Sequence, residues 1–410
     1  MKWGYNWELG PFETWDAIGV KESTERMSSE GKTIPENVKR MLASGHDSFY
    51  RKKNGELHYF DFDSQDYRRV EFSKDVIFLS LHKQREGKIL KSNEEASLID
   101  IGDGIALLEF HSKMNSIGEG ILTIINEVVD EVENNYEGLV IGNQGKNFSV
   151  GANLFLVSSL AQNNDWDRLK QAVDLFQNAS MRLKYSEKPV VVAPFGMTLG
   201  GGCELQMHAT KTQAAAESYI GLVEVGVGLI PAAGGTKEMT LRALKRGQGV
   251  KGVEYQPFIQ KVFETIGMAK VAGSAMEAQK LDLLRESDLI SMNSDRLIGE
   301  AKKTVLALVS QGHRRRPMQE KMLALGTDVY SLILVGLDQM HEAGYITDYD
   351  RVVGTKLAFV IAGGNLTAPQ IVDEQYFLDL EREAFLSLCG EKRTQERMVH
   401  MLETGKPLRN

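Results

Sequence analysis

Cysteine is almost missing from this chain of 410 residues, which has only Cys203 and Cys389. Neither opens a metal-ligand spacing, and so low a count excludes a disulfide scaffold and suits a reducing compartment. A surplus of positive charge is also absent. The formal net charge is −8, which argues against a general nucleic-acid binder, because such proteins carry basic faces that neutralise phosphates. No window approaches 18 consecutive apolar residues, so no membrane span is expected. The opening stretch "MKWGYNWELGPFETWD" lacks the basic stretch and apolar core of a signal peptide. The eight histidines show no H-E-x-x-H or comparable metal spacing, so no metal site is expected. No G-x-S-x-G occurs, which leaves an α/β-hydrolase serine nucleophile without support. The chain reads as a soluble cytoplasmic protein.

What is present is ordinary for a globular protein: 42% hydrophobic and 25% charged residues, with length for two or three domains. In the first segment "PENVKRMLASG" reads as a short helix stopped by Gly45. "FYRKKNGELHYFDF" reads as a hairpin closed by Asn54-Gly55. The charged stretch "LHKQREGKILKSNEE" reads as a linker. From about residue 96 strands alternate with helices, from the Asp103-Gly104 hairpin through "GILTIINEVVDEVENN", "GLVIGN" and "DRLKQAVDLFQNASMRLKYS" to "KPVVVAPFG". That alternation implies an α/β core. After about 311 the chain reads as helical. Met322, Leu325, Val329, Leu332 and Val335 carry the spacing of one helix face, and Phe377, Leu380, Ala384 and Leu388 another, stopped by Gly390.

The stretch "PVVVAPFGMTLGGGCEL" reads as strand, turn, glycine run and helix. A helix N-terminus presents unpaired N–H groups, and glycines let a ligand's carbonyl oxygen reach them. This is the architecture of an oxyanion hole, with a second donor available from the small-residue turn Val150, Gly151, Ala152 in "NFSVGANLF". Close helix–strand packing is the alternative use of the same glycines. Glu204 follows the glycine run, and Glu224 lies 20 residues on, between Val223 and Val225. Converging on an activated carbonyl, the two would form an acid–base pair, one raised in pKa by an apolar setting. Separately, Glu224 reads as a strand residue facing solvent. Cys203 reads as a packing cysteine, and His208 either as a core histidine or as support for Glu204. "HRRRP" at 313–317 reads as a solvated helix start or a phosphate contact.

Four stretches, "KMNSIGEGIL", "FSVGANL", "GMTLGGGCELQMHA" and "GLVEVGVGLIPAAGGT", resemble the crotonase (enoyl-CoA hydratase/isomerase) superfamily in order and spacing. The resemblance covers residues 96 to about 310 and implies an α/β crotonase-like core, a ββα-type spiral. It implies Val150 and Gly201 as oxyanion donors to an acyl-CoA thioester. Glu204 would then activate water and Glu224 protonate C2. The substrate surface it implies comprises Gly151, Ala152, Asn153, Gly200, Gly202, Met114 and Asn115. The stretch 245–257 looks like an insertion in the helical part that usually helps trimer formation.

"MKWGYNWELGPFETWDAIG" is similar to the C-terminal helical domain of 3-hydroxyacyl-CoA dehydrogenases in fused bacterial β-oxidation proteins, and the final hundred residues to their helical tail. No G-x-G-x-x-G occurs before residue 100, so an NAD site and dehydrogenase activity are not expected. The expected organisation is a dehydrogenase remnant at 1–90, a hydratase domain at 91–310 and a helical region at 311–410. The chain would be the C-terminal half of a fused dehydrogenase/hydratase, begun at an internal methionine or cut from a longer chain. An enoyl-CoA hydratase needing no cofactor is the implied function. Its rivals are a Δ3-Δ2-enoyl-CoA isomerase and a non-catalytic acyl-CoA channelling or docking module. A 3-ketoacyl-CoA thiolase and a second copy of the chain are the protein partners that the resemblance implies.

Overall fold

The Asn54-Gly55 pair closes the hairpin that its chemistry favours. Both residues are left-handed, at φ 53° and 70°, the conformation of a tight two-residue turn. A computed structural model describes residues 1–5, 7–248, 250, 252–318 and 320–410, Lys2 and Trp3 by backbone alone. Asn6 of the opening motif, Gly249 and Lys251 of the expected insertion, and Gln319 lie outside the described residues. The chain divides into two units, Met1–Lys88 and Ile89–Asn410. In the first, strands β1 (Tyr50–Lys53), β2 (Glu56–Asp61) and β3 (Asp66–Arg69) form an antiparallel sheet. Helices Pro11–Ile18, Val20–Ser29 and Glu36–Ala43 accompany it. Val20, Val38, Met41, Phe49 and Phe60 make its small core, and Asp16 accepts the N–H groups of Phe49 and Tyr50 at 2.7 and 2.8 Å.

The second unit carries, in chain order, β4 (Ile89–Ser92), β5 (Ala96–Asp100), β6 (Ile105–Phe110), β7 (Gly138–Ile141), β8 (Val190–Val192), β9 (Gly196–Leu199), β10 (Lys211–Ala215), β11 (Ser218–Gly221), β12 (Val271–Ala272) and β13 (Leu289–Ser291). Seven of these make one sheet in the order β13-β10-β8-β7-β6-β5-β4. From β6 to β13 its neighbours are parallel, and β6, β7 and β8 are buried along their whole length. Burial on both faces is why these strands read as unbroken apolar runs. A smaller sheet, β12-β11-β9, stands beside it. Helices Glu119–Asn135 and Trp166–Lys184 pack their apolar stripes into the same core.

Two expectations are corrected here. The stretch taken as a linker contributes β4, which pairs antiparallel with β5 at the sheet edge. All four of its residues are exposed, and an edge strand tolerates charge because neither face is closed. The segment 311–410 is not wholly helical. β14 (Lys321–Ala324) and β15 (Gln370–Asp373) form an antiparallel pair between its helices. Met322 therefore belongs to a strand, and counting a helical repeat from it gives the wrong phase. Leu332 and Val335 are 42% and 54% exposed, while Ile333 and Leu337 enter the core. The helices Asp348–Ala362 and Glu374–Cys389 share one hydrophobic core with Cys203, Leu229 and Met239, inside the same unit. Among the described residues no helix is long and apolar enough to cross a membrane.

Candidate active site

Strand β9 runs straight into the glycine run, and each glycine there answers a close approach. A Cβ at Gly201 would lie 2.6 Å from the Phe176 ring, and one at Gly202 would lie 2.7 Å from Ser149 Cβ. At Gly200, where φ is +52°, a Cβ would stand 3.0 Å from Glu224 Oε1. The second turn meets the first: a Cβ at Gly151 would be 3.0 Å from Leu199 O and 3.4 Å from Gly201 N. Ser149 ties the two together. Its N–H donates to Met197 O at 3.1 Å, and its carbonyl accepts from Leu199 N at 3.0 Å. Its Oγ accepts from Gly151 N at 3.1 Å and donates to Asn115 O at 2.7 Å. The N–H groups of Val150 and Gly201, one in each turn, have no acceptor among the described residues. A pair of free donors on adjoining turns can receive one carbonyl oxygen.

Glu204 stands in the first turn of helix Gly201–Met207 and Glu224 in the short turn after β11. Both reach the wall of one cavity of about 370 Å³, with Ile117, Leu122, Leu160 and Phe176. Their surroundings differ. Glu204 Oε1 accepts the N–H groups of Ala233 at 2.8 Å and Gly235 at 2.9 Å. Burial pushes its pKa up to about 7, opposed by these two donors and by the charge of Lys237. Glu224 Oε2 is shut from solvent and has no hydrogen-bond partner among the described residues. Burial, and after it the neighbouring charge of Glu204, raises Glu224 well above the usual carboxylate range. Near neutrality Glu204 is therefore the group that ionises and Glu224 the one that keeps its proton. Glu224 is no strand residue facing solvent, since β11 ends at Gly221 and the chain turns inward.

The other residues of the expected site separate into two groups. Ala152 and Asn153 line the cavity, and Asn153 also caps helix Leu154–Gln162 by accepting Leu156 N at 3.2 Å. Gly151, Gly200, Gly202, Met114 and Asn115, and with them the expected donors Val150 and Gly201, are not among the residues of the cavity wall. Met114 is 56% exposed, and the buried Asn115 amide donates to Asn147 O at 2.9 Å. Cys203 is buried, which pushes its thiol pKa far up and leaves it a packing residue. His208 is a satisfied core histidine, its Nδ1 2.6 Å from Glu204 O and its Nε2 3.0 Å from Lys237 Nζ. In the basic patch, Arg315 pairs with Glu187 at 3.3 Å and Arg316 reaches Ala209 O at 3.5 Å, both away from the cavity wall.

Behind the site lies a charged cluster that the sequence reading passed over. Lys237 Nζ donates to Glu374 at 2.8 Å and Glu238 at 3.1 Å, and Lys184 Nζ to the same two carboxylates at 2.9 Å each. Burial alone would raise Glu374, but the charges of Lys237 and Lys184 outweigh it and hold the carboxyl at about 2. Burial likewise works against Lys237, yet Glu238 and Glu374 keep its pKa above the ordinary value. The signal in the sequence is the pair Glu374 and Glu381, seven residues apart and so on one face of a helix with Phe377, Ala384 and Leu388. Among the described residues no group of three or more His, Cys, Asp or Glu side chains is arranged to hold a metal ion.

Residues 100–246 match the family model described as enoyl-CoA hydratase/isomerase. The whole chain is 49% identical over 410 residues to a probable 3-hydroxyacyl-CoA dehydrogenase of Bacillus subtilis, spanning 51% of that protein. Over 130 residues, 31% of this chain and 48% of the relative, it is 32% identical to a short-chain-enoyl-CoA hydratase of Clostridium acetobutylicum. The chain thus spans about half the length of these curated relatives. The crystal structure of enoyl-CoA hydratase from Bacillus halodurans matches with a TM-score of 0.50 at 15% identity, over 75% of this chain and 99% of that one. That likeness is one of fold. The match to the enoyl-CoA hydratase/isomerase family thus covers residues 100–246.

Proposed function

We propose that the second unit is an enoyl-CoA hydratase, adding water across the 2-trans double bond of an enoyl-CoA to give the 3-hydroxyacyl-CoA. The observation that carries this reading is the pair of buried carboxylates on one apolar cavity, one disposed to ionise and one to stay protonated. The thioester oxygen would rest on the N–H groups of Val150 and Gly201, which stabilise charge as it develops there. Glu204, as the carboxylate, takes a proton from water as the water oxygen bonds to C3. The electron pair of the double bond moves onto the thioester oxygen as an enolate. Glu224 then gives its proton to C2 as the carbonyl reforms. One proton passed from Glu204 back to Glu224 resets the site. The thioester is itself the electron sink, so this chemistry calls for no resident metal or redox cofactor.

A turnover assay over 2-enoyl-CoAs from crotonyl to hexadecenoyl, run beside a 3-enoyl-CoA, tests the proposal. Hydration of the 2-enoyl series supports it. Turnover of the 3-enoyl substrate alone would make the site an isomerase, and acyl-CoA binding without either reaction would make it a docking module.

A further inference from the structure

The turn that holds Glu204 is itself held from the other side. Four N–H groups in the stretch 233–237 divide between two carboxylates. Those of Ala233 and Gly235 point to Glu204 Oε1, at 2.8 and 2.9 Å. Those of Gly234 and Lys237 point to Glu381, Gly234 N lying 2.9 Å from Oε2 and Lys237 N close to Oε1. Gly234 makes the alternation possible. Its φ is +101°, and a Cβ there would lie 2.7 Å from His208 Nε2. Glu381 is fully buried on the helix Glu374–Cys389, far from the glycine and glutamate motifs in sequence. A second tie joins the same pieces. Gln177 Nε2 donates to Ala232 O and to Leu378 O, both at 2.9 Å, while its Oε1 accepts from Arg382 at 3.0 Å.

We propose that Glu381 is a positioning residue for the reaction: it clamps the 233–237 turn so that the Ala233 and Gly235 N–H groups stay aimed at Glu204. The proposal rests on the hydratase reading of Glu204. A carboxyl group, whose two oxygens each accept a backbone N–H, fixes a turn more tightly than an amide, which offers one oxygen and places a donor against the other N–H. Loosening the clamp lets the two donors drift from Glu204, and a carboxylate that loses hydrogen-bond donors becomes harder to ionise. Burial, and after it the charge of Glu204, raises Glu381 well above the usual carboxylate range, opposed by the Lys237 and Gly234 N–H groups and the Lys237 charge, and Glu224 feels Glu381 in turn. Beyond the Lys237 nitrogen stand Glu238, Glu374 and His208.

The test compares the full chain with Glu381→Gln and Glu381→Asp in the same chain. The hydration rate is followed against pH, and the Glu204 carboxylate is titrated by infrared difference against Glu204→Gln in each background. The expected result for Glu381→Gln is a kcat lower by roughly tenfold or more with KM little changed. Its acid limb, and the infrared titration of Glu204, should move up by about one pH unit. Glu381→Asp, which keeps one acceptor contact, should fall between. An unshifted limb and titration with only a lower unfolding midpoint would reduce Glu381 to scaffold. A downward shift would also overturn the clamp, because it would mean that charge repulsion dominates the link. Failure of both variants to fold would count against it in the same way. If the parent chain itself shows no hydration, the hydratase reading fails, and the infrared titration still decides whether Glu381 governs Glu204.

Discussion

Glu204 and Glu224 share one cavity wall but not one environment: two backbone N–H groups hold Glu204, while Glu224 Oε2 has no hydrogen-bond partner among the described residues. On that asymmetry rests the proposal that the first acts as the carboxylate and the second as the acid. Glu204→Gln and Glu224→Gln should each lower hydration by on the order of 10²–10⁴-fold, the usual worth of a general acid or base. Acyl-CoA affinity, measured by calorimetry, should change little. Near-native turnover in either variant would remove that residue from the mechanism.

The same placement makes Glu204 costly to the fold. Its pKa in the folded chain is about 7 against an ordinary value of 4.5, so the folded state binds the proton more tightly than the unfolded one. Stability must then fall as pH rises through that window, by about 3 kcal/mol once both states are ionised. Glu204→Gln keeps an amide oxygen for Ala233 and Gly235 and removes this cost. Denaturant unfolding should find the variant more stable than the parent at about pH 8 and close to it at about pH 4. An inactive protein that is harder to unfold is the expected outcome. Equal stability at both pH values would contradict the burial argument.

Gly201→Pro deletes one N–H donor and should lower turnover by at least about 10²-fold. Space is a second demand at this position, since a Cβ would lie 2.6 Å from the Phe176 ring. Gly201→Ala is the control that adds the Cβ and keeps the donor. If the donor matters, Gly201→Pro should be the more damaged of the two, with circular dichroism showing both folded. Equal losses would leave the glycine as packing alone.

Lys237→Met should destabilise the chain by about 3–5 kcal/mol, because Glu374 and Glu238 would stay buried without one of the cations they share. Adding Glu374→Gln to that variant should recover part of the loss in a thermal unfolding comparison. Independent, additive losses would mean that the pair is not coupled.

Isothermal calorimetry with NAD is expected to show no saturable binding. At the glycine run, where a helix start meets small residues, the Glu204 carboxylate would repel a pyrophosphate. Saturable uptake would show a cofactor site that the proposed chemistry leaves out.

Much of this was readable in advance because it is local. Asn54-Gly55 and the glycine run prescribe backbone geometry within a few residues, and the buried strands are continuous apolar runs. The 20-residue interval from Glu204 to Glu224 could be counted, and the fold brings both to one wall. What stayed hidden depends on distant partners. Lys184 and Lys237 are polar residues that sequence patterning assigns to the surface, and Glu374, 190 and 137 residues further on, joins Glu238 in permitting their burial. Glu381 escaped notice for the same reason. β4 and β14 are short, and their charged residues obscure the alternation by which strands are recognised.

The distance from Lys184 to Glu374 also bears on how the chain is made. Synthesis delivers residues in order, and a segment closes its interior when its partners have emerged. Until the helix Glu374–Cys389 leaves the ribosome, the two interior lysines lack the last carboxylate that neutralises them. Hydrated ammonium groups hold a half-made interior open and oppose premature collapse around it. Arrival of that helix should then be what lets this interior close, and pauses in translation before it should lengthen the chain's dependence on chaperones.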